Sequence, residues 1–162
     1  MEVKLIKASV SDVPIIKELA HVTWNEHYPA IIGQAQVDYM LDLMYSNKSL
    51  EEQMQNGHVF YLIQTNHADI GFISVTETTP GELYLQKIYI LGDVQGKGAG
   101  ISAWKGLMAL YNPKSIKLNV NRMNVKAINF YYKLGFNISR VVNFDIGNGY
   151  VMEDFEMVKN AT

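Results

Sequence analysis

The feature that most constrains this chain is one continuous stretch. An apolar-rich strand, Leu83-Tyr84-Leu85-Gln86-Lys87-Ile88-Tyr89-Ile90, runs through Leu91-Gly92-Asp93-Val94 into a glycine-rich turn, Gln95-Gly96-Lys97-Gly98-Ala99-Gly100, that opens a helix. Gly96, Gly98 and Gly100 carry no Cβ to hold a ligand away from the backbone. The helix that follows offers unpaired N–H groups and the positive end of its dipole. The stretch therefore reads as a cradle for an anion. Two familiar glycine motifs fail on spacing. A dinucleotide fingerprint needs a third glycine where Ile101 stands, and a nucleotide phosphate loop needs one more residue between Gly92 and Gly96, with Ser or Thr in place of Gly98.

The remaining patterns arrange a domain around that stretch. Val3 to Ile6 alternates as a short strand, and Ser9, Ser11 and Asp12 are natural caps for a helix that tolerates Pro14 in its first turn. Ile15, Ile16, Leu19, Ala20, Thr23 and Trp24 keep helical spacing until Tyr28-Pro29 ends the pattern. Val37, Met40, Leu41 and Met44 predict a second helix over Gln34 to Tyr45, packed beside the first. Ser49 to Gln55 reads as a short helical piece broken by Asn56-Gly57. His58 to Gln64 and Ile70 to Thr76 read as strands joined by the polar loop Thr65-Asn66-His67-Ala68-Asp69, and Thr79-Pro80-Gly81 leads into the central strand at Glu82, giving an antiparallel meander. Beyond the glycine turn, Ile101, Trp104, Leu107, Met108 and Tyr111 mark the buried stripe of a helix closed by Asn112-Pro113. Ser115 to Val120 returns as a strand. Asn124 caps a helix with Ala127, Ile128 and Tyr131 on its stripe and Gly135 at its end. Phe136 to Asp145 and Tyr150 to Val158 form a closing hairpin across Gly147-Asn148-Gly149. The order is β-α-α-β-β-β-α-β-α-β-β, an α+β chain with a mixed sheet covered by helices.

Composition sets the function classes aside in turn. With 162 residues, 48% of them hydrophobic and 19% charged, one domain over residues 1–162 has room for a proper core. A formal net charge of −2 draws the chain neither to nucleic acid nor to an anionic membrane surface. No apolar run approaches a membrane span and Met1-Glu2-Val3-Lys4 does not begin a secretory signal, so a cytoplasmic protein is expected. The absence of cysteine removes disulfides, thiolate metal sites and an acyl-cysteine intermediate. His21, His27, His58 and His67 show no ligand spacing, so no metal is expected.

Gln95-Gly96-Lys97-Gly98-Ala99-Gly100 matches all six positions of Q/R-x-x-G-x-G/A, and in that form, after such a strand, it resembles the pyrophosphate-binding signature of the GCN5-related N-acetyltransferases. A second segment, Asn124 to Phe136, resembles the block N-x-x-A-x-x-x-Y-x-x-x-G-F of the same family. The resemblance runs the length of the chain. It implies acetyl-CoA as co-substrate and a small primary amine as acceptor, attacked directly in a ternary complex. The stretch Asp145 to Asp154 is similar to the ending of a bacterial subgroup associated with diamine and polyamine acetylation. A protein or peptide amine is the alternative acceptor, and a CoA-binding sensor without turnover the alternative to an enzyme. No nucleic-acid or membrane partner is implied, and a homodimer is compatible with the pattern.

The resemblance also distributes roles. Gln95, Gly96, Lys97, Gly98, Ala99 and Gly100 would hold pyrophosphate, with Ile88, Tyr89 and Ile90 beside the thioester, their backbone N–H groups serving its oxyanion. Asn124, Ala127, Phe130 and Tyr131 would lie along the pantetheine arm, with Tyr131 protonating the departing thiolate. Because a helix turns about 100° per residue, Tyr132 points elsewhere and reads as a packing residue. Glu82 stands where many members keep a glutamate base, or else is a solvated residue at a strand end. A base is needed because an amine of pKa about 10 is almost wholly protonated at neutral pH. Trp24, Glu26 and Tyr28, with Tyr84 on the central strand, would face the acceptor amine.

Overall fold

The Ser9 to Asp12 segment opens the helical region as its cap residues require. Ser9 N–H donates to Asp12 Oδ2 at 2.9 Å, and one 3-10 turn, Val10–Asp12, leads into α1, Val13–His27. The computed structural model describes residues 1–66 and 68–161; His67, part of the predicted hairpin loop and one of the four histidines, lies outside the described residues. After α1 come α2 (Pro29–Ile32), α3 (Gln34–Tyr45) and α4 (Asn47–Gln55), then α5 (Ala99–Tyr111) and α6 (Val125–Leu134). The strands are β1 (Lys4–Lys7), β2 (Val59–Thr65), β3 (Ala68–Thr79), β4 (Glu82–Ile90), β5 (Ser115–Asn121), β6 (Asn137–Gly147) and β7 (Tyr150–Asn160). The Tyr28-Pro29 junction ends α1, but Pro29 then starts α2, because a proline is well placed in a first turn. Ser46 starts α4 by accepting the Ser49 N–H at 3.1 Å.

The strands hydrogen-bond in the order β1-β2-β3-β4-β5-β7-β6. Pairing is antiparallel for β1 with β2 and β2 with β3, parallel for β4 with β5, and antiparallel for β5 with β7 and β7 with β6. The mixed α+β sheet expected from the sequence is therefore present. One arrangement was not legible: the last strand, β7, takes the inner place beside β5, and β6 takes the edge.

The chain falls into two compact units, one of Met1–Thr76 with Lys87–Asn112, the other of Glu77–Gln86 with Pro113–Thr162. In the first, Ile16, Val37, Leu50, Phe60, Phe72 and Ile73 form the core. The predicted stripe of α5 needs correction there. Ile101 is exposed, while Ala99, Ala103, Trp104 and Leu107 are buried. β1 packs close to this helix: a Cβ on Gly106 would stand 3.3 Å from Leu5 Cδ1. In the second unit, Leu83, Leu85, Ile116, Leu118, Val120, Phe136 and Met157 are buried, and the alternation of β5, Ser-Ile-Lys-Leu-Asn-Val-Asn, leaves Lys117, Asn119 and Asn121 on the opposite face.

The tightest backbone approach in the first unit is at Gly71, where a Cβ would lie 2.2 Å from Tyr89 O and 3.0 Å from Ile90 Cα. Backbone atoms cannot rotate away as a side chain can, so Gly71→Ala should force β3 and the end of β4 apart. The expected loss is about 1–3 kcal/mol or more, read as a lower urea midpoint. An unchanged midpoint would mean that the spacing at Gly71 is not a constraint.

Candidate active site

The glycine turn of the first unit is held from several sides. Leu91 N–H donates to Ile70 O at 2.8 Å, and the Gly92 N–H points at the Glu26 carboxylate, 3.2 Å from Oε2 and 3.3 Å from Oε1. A Cβ on Gly92 would meet Glu26 Oε2 at 2.4 Å, so a larger residue there would push the Glu26 carboxylate aside. Gln95 Nε2 reaches back to Ile90 O at 2.7 Å. Gly96 and Gly98 both have left-handed backbones, φ 77° and 86°, and around the Cβ position of Gly96 there is open space to 4 Å. The intrahelical ladder begins with Ser102 N–H to Gly98 O at 3.0 Å, so the amides just before Ser102 stand at the mouth of a 13-residue helix with no carbonyl four residues back inside it. Such a mouth attracts anions. Lys97 is exposed on the turn and Ala99 is buried beneath it.

The residues expected to face an acceptor amine divide. Trp24 and Tyr28 are buried in an aromatic cluster, their ring centroids 4.4 Å apart, with Tyr89 5.8 Å from Trp24 and Phe72 5.7 Å from Tyr89. Tyr89 is thus packed against these rings, and Glu26 serves the turn through Gly92. Lys87 enters the same region. Its Nζ donates to Gln53 Oε1 at 2.8 Å and lies 5.5 Å from the centre of the Phe60 ring and 5.7 Å from that of Tyr45. Burial lowers its pKa to about 8, and His58 is held below its ordinary value by burial and by Lys87.

In the second unit, Asn124 starts α6 by accepting the Ala127 N–H at 3.2 Å. Tyr131 is 8% exposed, with its ring against Phe130 and Phe136, whereas Tyr132 is 46% exposed. The two tyrosines point apart as helix geometry requires, but Tyr132 is a surface residue and not a packing one. Glu82 is exposed at the start of β4, opposite Ser115. The turn before it is pinned by Gly81 O, which accepts from Lys114 N–H at 2.7 Å and Ser115 N–H at 3.2 Å.

Tyr84 sits in a polar cluster that sequence reasoning did not find. Its hydroxyl accepts from Asn119 Nδ2, and burial, then Asp154 and Glu156, push the phenol up to about 12. Asp154 is buried, and burial raises its carboxyl to about 6. Glu156 is ion-paired to Arg140 Nη2 at 3.0 Å and accepts from Ser139 Oγ at 2.8 Å, which holds it below the usual carboxylate range. The polar alternation of β5 signals which face carries this cluster. Among the described residues, no group of His, Asp and Glu side chains is arranged to hold a metal ion, and no helix is long and apolar enough to cross a membrane.

Residues 32–156 match the family model described as the acetyltransferase (GNAT) domain. The chain belongs to the GNAT acetyltransferase family. Its similarity to a spermidine N(1)-acetyltransferase of Thermoplasma acidophilum is 25% identity over 161 residues, 94% of this chain and 97% of that one. The GNAT fold extends end to end. The crystal structure of the PaiA N-acetyltransferase from Thermoplasma acidophilum in complex with coenzyme A superposes with a TM-score of 0.79 at 22% identity, covering 99% of this chain and 100% of the other. A GCN5-related N-acetyltransferase structure from Rhodopseudomonas palustris gives 0.78 at 14% identity, covering 99% and 97%.

The depressed pKa of Lys87 makes stability depend on pH. The unfolded side chain titrates near 10.4 and the folded one at about 8. Between those values the unfolded state binds more protons, so stability rises with pH, and below about pH 8 the burial penalty is present in full. Lys87→Met should therefore raise Tm at pH 7 by a few degrees, on the scale of about 2–4 °C per kcal/mol, and flatten the rise between pH 8 and 10. A melting profile that keeps its slope in the variant would assign the titration to another group.

Proposed function

We propose that residues 1–162 form one N-acetyltransferase domain that transfers the acetyl group of acetyl-CoA to a primary amine of a small molecule, a polyamine in particular, by direct attack. The observation that carries this reading is the glycine turn, with two left-handed glycines and amides at the mouth of α5. That is the geometry a pyrophosphate needs. Gln95 to Gly100 would take the pyrophosphate, with Gln95 shaping the turn through Ile90 O. The polyamine preference is supported by the spermidine-acetylating relative and by the acidic cluster around Tyr84.

Three tasks fall to protein groups in such a transfer. The amine must lose a proton, the thioester oxygen must be stabilised, and the thiolate must be protonated or solvated. We assign the last to Tyr131, whose burial suits a group that replaces water around sulfur, and the first to Glu82, whose exposed position also lets water relay the proton. Asn124 would meet the pantetheine arm while capping α6 through its Oδ1 on Ala127 N–H.

Gly98→Val would put a branched side chain at a left-handed position in the proposed phosphate contact. Calorimetry should show acetyl-CoA binding weakened at least tenfold, and wild-type affinity in the variant would remove the turn from the site.

Wild-type protein assayed against a panel of diamines, polyamines, monoamines and peptides should acetylate the small amines. Within that assay Tyr131→Phe should cost about a hundredfold in kcat, the lower end of general acid catalysis, while Tyr132→Phe costs little. Equal losses would withdraw the role of Tyr131, and binding of acetyl-CoA without turnover on any amine would favour a sensor.

A further inference from the structure

The two carboxylates of β7 that share a face of the sheet are treated very differently. Glu156 has Arg140 and Ser139 as donors. Asp154, two residues earlier and 2% exposed, has a buried Oδ1 with no hydrogen-bond partner among the described residues. The neighbouring donors make contacts of their own. Arg122, the cation that acts on Asp154, gives Nη2 to Asn143 Oδ1, and Asn119 Nδ2 goes to the Tyr84 hydroxyl. Lys117 and Arg140 act on Glu156. Asn119 Oδ1 is a second buried acceptor without a partner among the described residues. Asn119 stands opposite Glu156 across the β5/β7 ladder, and Asn121 opposite Asp154, so these groups lie on one face.

A buried carboxylate oxygen without a donor costs stability, and a cation carrying several N–H groups is what would satisfy it. A neutral donor such as water would supply the hydrogen bond but no charge of its own. We propose that Asp154, with Asn119 and Tyr84 beside it, binds the second, non-reacting ammonium group of a diamine or polyamine acceptor, and so sets the preference for polyamines over monoamines. The inference rests on the amine-acetylating reading above. The non-reacting ammonium stays charged throughout transfer, whereas the reacting amine must be neutral. An anchoring carboxylate therefore acts on KM more than on the chemical step. Tyr84 and Asn119 beside Asp154 are half-buried.

The raised carboxyl of Asp154 supplies an independent readout. Its folded pKa, about 6, lies above the ordinary aspartate value of about 3.9, so the folded state binds more protons between those values and stability falls as pH rises through them. Tyr84, Glu156, Arg122 and Arg140 are the other titrating or charged groups of the cluster. Asp154→Asn removes the ionisation, so the variant should melt higher than the wild type at pH 7 and lose the fall in Tm between pH 4 and 6. A carboxylate kept only for stability would give the opposite sign.

The decisive comparison is 1,4-diaminobutane against n-butylamine, equal in carbon chain and different by one ammonium, assayed on the whole protein with acetyl-CoA. The wild type should prefer the diamine. Asp154→Asn should reduce that preference about tenfold to hundredfold, the worth of a charge-assisted hydrogen bond, mainly through a higher KM for the diamine. Asn119→Ala, which keeps the carboxylate, should move the preference the same way by less, and it carries the test alone if Asp154→Asn does not fold. An undiminished preference in the folded variants overturns the proposal, as does a loss of kcat shared equally by both amines. Failure of the underlying reading is a separate result, seen in the wild type as binding of acetyl-CoA with turnover of neither amine.

Discussion

A strand that runs into a helix must leave the first amides of that helix without partners, and much of the first unit serves to hold that junction still. Three contacts converge on it from different elements: β3 through Ile70 O, α1 through the Glu26 carboxylate, and the turn itself through Gln95. None of them consumes the amides between Gly98 and Ser102. The close approach of Gly71 to Tyr89 O sets the spacing of the strands just before the junction. The aromatic cluster of Trp24, Tyr28, Phe72 and Tyr89 gives the same region a large apolar area at little rotamer cost. A preorganised anion site results, in which the ordering cost is met during folding and not at binding.

The second unit meets a different problem, polar residues on a half-covered sheet face. Glu156 shows one solution, an ion pair with Arg140 reinforced by Ser139. The Asn119 to Tyr84 contact shows another, a neutral bond that also restricts the phenol. Asp154 is the exception on that face, and its cost is borne by the apolar rows beneath, Ile116, Leu118, Val120 and Met157.

The sequence carried most of the fold because its signals were local. The helix Gln34–Tyr45 was legible to the residue, since Val37, Met40 and Leu41 mark its face and Gly33 and Ser46 bound it. The opposite fates of Tyr131 and Tyr132 followed from helix rotation alone. Failures came where tertiary contact decided. Ile101 looked like a core residue, yet it is exposed while Ala103 is buried, and a Cβ on Gly106 would stand only 3.3 Å from Leu5 Cδ1. Glu26, placed by the resemblance on the acceptor side, also meets a backbone amide 66 positions away, a contact that no local spacing announces. Asp154 was present in a stretch singled out for its resemblance, but its character depends on which donors fail to reach it, and no spacing rule encodes that.

The inner placement of β7 has a consequence for synthesis. A ribosome releases β5 and α6 long before Tyr150–Asn160, and until those residues emerge β5 has a partner only on its β4 side. β6 cannot substitute, because in the finished sheet it pairs with β7 alone. The second unit therefore closes in a single late event, in which one strand zips along two neighbours at once. During translation the nascent chain must carry an open sheet edge rich in Ile, Leu and Val, a state that invites pairing with other chains.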